Sequence, residues 1–226
     1  MPDLRLVMFD FDGTLVDSQW AIAQVMAEAF AGAGLPPPPA GAVRRVVGLQ
    51  LEVAIDRLLP EEVQEDGLTA RLASAYRAAF FRLHQSAALH EPLMSGVKDA
   101  LETIEYPHIV CGIATAKGRR ALVSSLERHG LARHFTVLKT ADDGPGKPHP
   151  RILLDAMAEV GVGPEATLMV GDTTYDMELA VNAGARALGV AWGYHAPADL
   201  LAAGAERVLE DFAELTLDLI GLEERR

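Results

Sequence analysis

The sequence predicts an α/β fold, a Rossmann-like parallel sheet sandwiched by helices, with an all-helical cap inserted after the first strand. Three observations carry that prediction. Short apolar runs end abruptly in loops, segments of helical spacing alternate with them, and one long early stretch has helical spacing and no strand. The chain has 226 residues, 50% hydrophobic and 23% charged, enough to bury a core and too apolar for a disordered chain.

The first strand is the run Leu4 to Phe9, which stops at Asp10. Further runs end at Thr115, near Leu138, at Gly171 and near Trp192. They read as apolar on both faces, as strands covered by helices on either side must be. Helical spacing recurs over Val97 to Ile104, Arg119 to Arg128, Pro150 to Val160 and Met177 to Ala183. From about Asp17 to His90 the pattern is helical throughout. Ala21, Ile22, Val25, Met26, Ala29 and Phe30 form one apolar stripe. Ser18 stands where a helix cap is expected, and Gly34 with the Pro36 to Pro39 run stops that helix. Val43 to Leu59 and Leu68 to Leu89 continue the pattern. The expected division is a core of residues 1–15 and 91–226 and a cap of residues 16–90, hinged near Val16 and Glu91, with Pro92 stiffening the return.

Lys and Arg number 20 and Asp and Glu 32, a formal charge of −12, which disfavours non-specific binding to nucleic acid or an anionic bilayer. The one cysteine, Cys111, cannot form an internal disulfide and lies in an apolar strand, where packing is expected. No apolar run approaches the roughly 18 residues of a membrane span, and no basic-then-apolar leader opens at Met1. The expectation is a cytoplasmic protein, monomer or homodimer, with neither nucleic-acid nor membrane partners.

Open parallel sheets bind ligands beyond the carboxyl ends of their strands, so the loops there hold the chemistry. The first is DFDGTLVDS, with Asp10 at the strand end, Asp12 two residues on, and Gly13 permitting a tight turn. Two carboxylates flanking one point suit a nucleophile with a general acid/base, or a metal seat; aspartates there can also simply cap the turn. Asp172 and Asp176, four residues apart after another strand, add carboxylates of the kind Mg²⁺ prefers, or else a helix cap and a solvated helix face. Clustered carboxylates repel by several kcal/mol at intermediate dielectric, so a cation is required. Lys147, between Gly146 and Pro148, can supply one, although a lone lysine is ordinarily a surface residue. Thr115 offers a hydroxyl beside helix-start N–H groups, a cradle for phosphate or an ordinary cap.

Asp10 and Asp12 in DFDGT, Thr115, Lys147, then Asp172 and Asp176 in GDTTYD resemble, in this order, the haloacid dehalogenase-like hydrolase superfamily. The resemblance covers nearly the whole chain and implies a mobile helical cap. It implies that Asp10 is the nucleophile of an aspartyl-phosphate mechanism and Asp12 its general acid and then base. Mg²⁺ would be held by Asp10, the backbone carbonyl of Asp12 and Asp172, with Asp176 in support. Thr115 and Lys147 would grip the phosphoryl oxygens, Lys147 also keeping Asp10 ionised. Gly13 and Thr14 would shape the phosphate loop. Ala116 stands where many relatives carry a polar residue, leaving any contact there to the backbone.

Within the superfamily, true dehalogenases lack the second aspartate, so Asp12 favours phosphoryl transfer. Phosphonoacetaldehyde hydrolases use a cap lysine, whereas the first lysine here is Lys98, beyond the cap. Val43 to Gly48, Arg57 and the run Trp192-Gly193-Tyr194 look like the phosphoglycolate phosphatases. Arg44 or Arg45, near the cap glycine Gly48, could meet a substrate carboxylate bidentately, or could be solvated. The implied function is Mg²⁺-dependent hydrolysis of a small phosphorylated metabolite, 2-phosphoglycolate foremost. The alternatives are a β-phosphoglucomutase-like sugar-phosphate mutase, against which Val47 and Leu51 flanking Gly48 count, and a non-catalytic binding protein. His149 and His195 lie near strand-end loops without metal-ligand spacing, and Trp192, Phe80 and Phe81 read as core.

Overall fold

In the computed structural model, which describes residues 4–63, 65–86 and 88–221, β1 (Arg5–Phe9) buries Leu6, Val7, Met8 and Phe9 completely. The outer ends of the expected core, with positions 64 and 87 of the expected cap, lie outside the described residues. Alternation along β1 sends Val7 and Phe9 to one apolar cluster and Leu6 and Met8 to another, so the strand is covered on both faces. Each such side chain contributes roughly 1.5–3 kcal/mol of burial.

β1 is central in a six-stranded parallel sheet of order β3-β2-β1-β4-β5-β6, with β2 (Ile109–Ala114), β3 (Val137–Lys139), β4 (Thr167–Gly171), β5 (Arg186–Val190) and β6 (Arg207–Leu209). Phe9 is level with Ile113 on one side and Val170 on the other. Asp10, Thr115 and Asp172 therefore leave the sheet within one residue of level, at one edge.

Between β1 and β2 come α1 (Gln19–Gly32), α2 (Ala40–Val46), α3 (Leu51–Leu58) and α4 (Leu68–His84). They close on their own cluster, in which Ile22, Met26, Phe30, Ile55 and Leu72 are buried. The expected helix Val43 to Leu59 is broken in two, because Val47 is extended and Gly48 has φ +97°, a conformation a β-carbon disfavours. The helix expected to reach Leu89 stops at His84. Ser18 does not cap α1: its hydroxyl lies 3.1 Å from that of Tyr194, while the Asp17 carboxylate accepts the Gln19 N–H.

α5 (Val97–Thr103), α6 (Arg119–His129) and α10 (Leu217–Ile220) cover one face of the sheet, and α7 (Arg151–Val160), α8 (Thr174–Ala183) and α9 (Pro197–Ala202) the other. The sequence pattern had no place for β6, three residues long and only partly buried, nor for the short α9 and α10. Among the described residues no helix is long and apolar enough to cross a membrane.

Candidate active site

Asp10, Asp172 and Asp176 are buried, and each offers a carboxylate oxygen within 4.8 Å of the others. Their convergence follows from the parallel register and from α8. A capping box starts that helix, in which Asp176 Oδ2 accepts the Thr173 N–H at 3.0 Å and the Thr173 hydroxyl at 2.7 Å. That box turns Asp176 inward, so the solvated-face alternative fails. Lys147 Nζ lies 2.9 Å from Asp10 Oδ1 and 2.6 Å from Asp176 Oδ1, itself buried. Asp10 Oδ1 also accepts the Phe11 N–H at 2.7 Å, which leaves Oδ2 without a donor among the described residues.

The charge balance is incomplete. Burial raises the Asp10 carboxyl, Lys147 opposes the rise, and Asp176 and Asp12 add to it, for a net lift to about 7. Asp172 is also pushed up, by burial and then by Asp10 and Asp176, against hydrogen bonds from the Tyr194 N–H and Thr14 hydroxyl. Lys147 is held above its ordinary value, since the attraction of Asp10 and Asp176 outweighs burial. Three buried carboxylates thus share one ammonium, and oxygen donors in this surplus of negative charge fit a hard divalent cation.

Gly13 makes this geometry possible. Its φ is +92°, and a β-carbon there would stand 2.8 Å from Asp172 Cγ. Thr14 is fully buried and donates to Asp172 Oδ1 at 2.8 Å, so it orients a carboxylate and does not reach the cavity.

A cavity of about 620 Å³ separates the sheet edge from the helical layer. Asp10, Asp12, Thr115, Ala116 and Gly48 line it; Arg45 does not. Thr115 Oγ1 accepts the Lys117 N–H at 3.2 Å, and the Ala116 N–H has no partner among the described residues.

Of the two arginines near Gly48, Arg45 takes the solvated alternative and Arg44 takes neither of the two expected. Arg45 is exposed, and its backbone carbonyl, not its side chain, is engaged, by the Tyr175 hydroxyl at 3.0 Å. Arg44 reaches the core, but Nε donates to the Tyr194 carbonyl at 2.9 Å and Nη2 to that of Gly193, so it clasps α2 to the loop after β5. The Arg57 Nη1 to Tyr175 hydroxyl contact at 3.0 Å and the Gln50 Nε2 to Gly144 carbonyl contact at 3.0 Å fasten the same layer. His195 Nδ1 accepts the Thr174 N–H and His149 Nδ1 that of Arg151, both at helix starts. Phe80 and Phe81, expected in the core, line the cavity, whereas Trp192 packs on Phe212.

Sequence reasoning missed Lys117 and Glu91 as partners. Lys117 Nζ, buried, lies 2.7 Å from Asp12 Oδ1 and 3.1 Å from Glu91 Oε1. Glu91 also accepts from Ser125 at 2.6 Å and Arg128 at 3.2 Å. Burial would raise the Glu91 carboxyl, but Lys117, His129 and Ser125 hold it well below the usual carboxylate range. A lysine two residues past a strand-end threonine carries no periodic signal; only the fold brings it to Asp12.

This geometry has counterparts among known proteins. The haloacid dehalogenase-like hydrolase family matches residues 7–190. The "Probable phosphatase IndB" of Dickeya dadantii is 35% identical over 93% of this chain and 91% of its own length. A phosphoglycolate phosphatase of Vibrio parahaemolyticus is 31% identical over 94% and 95%. The crystal structure of a hydrolase from Pseudomonas syringae superposes with a TM-score of 0.82 at 28% identity, covering 96% of this chain and 98% of that one. A match over most of the chain, on a fold that gathers these carboxylates at one sheet edge, makes it a member of the haloacid dehalogenase-like hydrolase family, a phosphoric monoester hydrolase of the phosphoglycolate phosphatase-like branch.

Proposed function

We propose that the chain hydrolyses a small phosphomonoester through an aspartyl phosphate on Asp10, with Mg²⁺ as cofactor. The observation that carries this reading is the state of Asp10: one oxygen is pinned by Lys147 and the Phe11 N–H, and the other lacks a donor, at a cavity wall that Asp12 also forms. Asp10 Oδ2 attacks phosphorus as the bond to the leaving oxygen breaks. Asp12 donates its proton to that oxygen, then takes one from the water that cleaves the Asp10–phosphorus bond. Lys117 orients Asp12 through Oδ1, leaving Oδ2 for the proton. Lys147, the Thr115 hydroxyl and the Ala116 N–H bind phosphoryl oxygens.

Asp10, the Asp12 carbonyl and Asp172 would hold Mg²⁺, with Asp176 supporting through Lys147 and Thr173. When bound, the ion supplies the positive charge that lets an anionic nucleophile approach an anionic ester. Residues 16–90 would act as the cap, excluding water when seated and admitting substrate when Arg44 and Arg57 release. Phosphate release in the presence of Mg²⁺, compared with Asp10→Asn, tests the reading. We expect inorganic phosphate, not an isomerised sugar phosphate, and a loss of at least about 10³-fold in the variant. Equal rates for the two proteins would end the assignment of Asp10.

The relatives' name points to phosphoglycolate, which sets one requirement: a cation for its carboxylate. Arg45 stands off the cavity and Arg44 is committed to carbonyls, so neither meets it.

A further inference from the structure

We infer that the preferred substrate is a phosphomonoester of an uncharged alcohol with an apolar, aromatic-sized body, and not of a short carboxylate-bearing alcohol such as glycolate. The inference rests on the phosphatase reading and concerns what lies opposite Asp10. The cap side of the cavity includes Ile22, Met26, Val43, Val46 and Leu49 among polar neighbours. Tyr76 and Phe80 add a stacked aromatic pair, their ring centroids 5.7 Å apart and nearly parallel. At about 620 Å³ the space is that of a site for a drug-sized ligand, roughly 300–1,000 Å³, far larger than a two-carbon acid needs. A small ligand would leave apolar wall facing water or void, losing the contacts that make such a wall useful.

The cation beside Asp12 is fully engaged, and the others stand at the exposed rim. Lys117 is enclosed by Asp12, Glu91 and the faces of Phe11 and Phe80. Arg77 pairs with Glu52 at 2.6 Å. Arg120, exposed at the rim, stands over the Phe81 ring at 4.4 Å. A substrate carboxylate deep in the cavity would lie beside Asp12, with Lys117 already paired to two carboxylates, which is costly. Polar groups on the walls remain free; among them the Tyr76 hydroxyl has no hydrogen-bond partner among the described residues, and it can meet a hydroxyl or carbonyl on the uncharged body.

The test is a matched series with the whole protein and Mg²⁺: ethyl phosphate, 2-phosphoglycolate and 2-phenylethyl phosphate, compared by kcat/KM for phosphate release. The expected order places 2-phenylethyl phosphate at least about tenfold above ethyl phosphate, equivalent to 1.4 kcal/mol, with 2-phosphoglycolate lowest. Phe80→Leu should narrow the phenylethyl-to-ethyl ratio several-fold, a readout that cancels any loss of folded protein; an unchanged ratio counts against the inference. If 2-phosphoglycolate equals or exceeds 2-phenylethyl phosphate, the inference is overturned. Loss of that preference in Arg120→Ala would then identify the rim arginine as the carboxylate partner. If none of the three esters releases phosphate, the phosphatase reading itself fails, an outcome distinct from a wrong substrate order.

Discussion

Glu91 to Gln is the sharpest perturbation of the buried charge network that holds Lys117 against Asp12. The Glu91 side chain is 1% exposed; Oε1 lies 3.1 Å from Lys117 Nζ, and Oε2 accepts from Ser125 at 2.6 Å and Arg128 at 3.2 Å. The substitution keeps shape and removes charge, leaving Asp12 as the remaining anion within salt-bridge distance of Lys117 among the described residues. Removing one partner of a buried pair costs about 3–5 kcal/mol. The glutamine carbonyl keeps an acceptor for Ser125, so the lower end applies, about 3 kcal/mol. For a chain of this length that is a fall in Tm of about 6–12 °C. The pH dependence has a definite sign. The folded chain holds Glu91 below the ordinary glutamate value of 4.5, so the unfolded chain binds the proton more readily. The stability contributed is complete above that value and is lost as pH falls toward the folded one. Urea unfolding followed by circular dichroism, from pH 7 to the acid limit of the folded state, should give a gap between wild type and variant that is widest at pH 7 and narrows below 4.5. A gap under about 1 kcal/mol at pH 7, or one that does not change with pH, would refute the reasoning.

Three further outcomes follow from the site. Mg²⁺ at a hundred times its Kd should raise stability by about 2.7 kcal/mol, or about 5–10 °C in Tm; Asp172→Asn should abolish the shift, and a melting curve insensitive to Mg²⁺ would count against the carboxylate site. Gly13→Ala forces a residue with a β-carbon to φ +92° and drives it into the Asp172 carboxylate. It should cost about 1–2 kcal/mol for the backbone alone and lower kcat by about a hundredfold through misplacement of the loop. Arg44→Ala removes the clasp on the Gly193 and Tyr194 carbonyls. Steady-state kinetics should then show kcat and KM changing together, as for a closure variant, for every ester tested.

The core was legible because its signals are local and periodic. Strands covered on both faces must be apolar throughout, and a strand that stops at an aspartate marks both the sheet edge and its chemistry. Asp10, Asp12, Asp172, Asp176 and Lys147 were placed from that rule and from motif order, and the parallel register brings the first strand's loop and the fourth's together. β6 escaped because three residues with one exposed end have no period to detect. The break at Gly48 escaped because an apolar helical stripe continues across it; only the backbone conformation separates α2 from α3.

Where Arg44 and Phe80 depart from expectation, the cause is shared. A sequence gives the charge of Arg44 and Arg45 but not what each guanidinium meets; Arg45 is solvated, one of the two expected fates, whereas Arg44 takes a third. Backbone carbonyls at the end of β5 are strong acceptors, and Arg44 satisfies two of them with one planar fork. Tyr175 does the equivalent for α3 and α2, receiving Arg57 and donating to the Arg45 carbonyl. Arg44 and Arg57 thus fasten the helical layer to the sheet edge, and the face left toward the cavity is largely aliphatic and aromatic. The same logic applies to Phe80. On one helix face it is a core residue by spacing, yet α4 lies over the cavity, so its ring is divided between Tyr76, Lys117 and open space above Asp12. The cavity wall opposite Asp10 is thus made of surfaces that periodicity assigns to the core, whereas the clustered carboxylates sit where strand ends announce them.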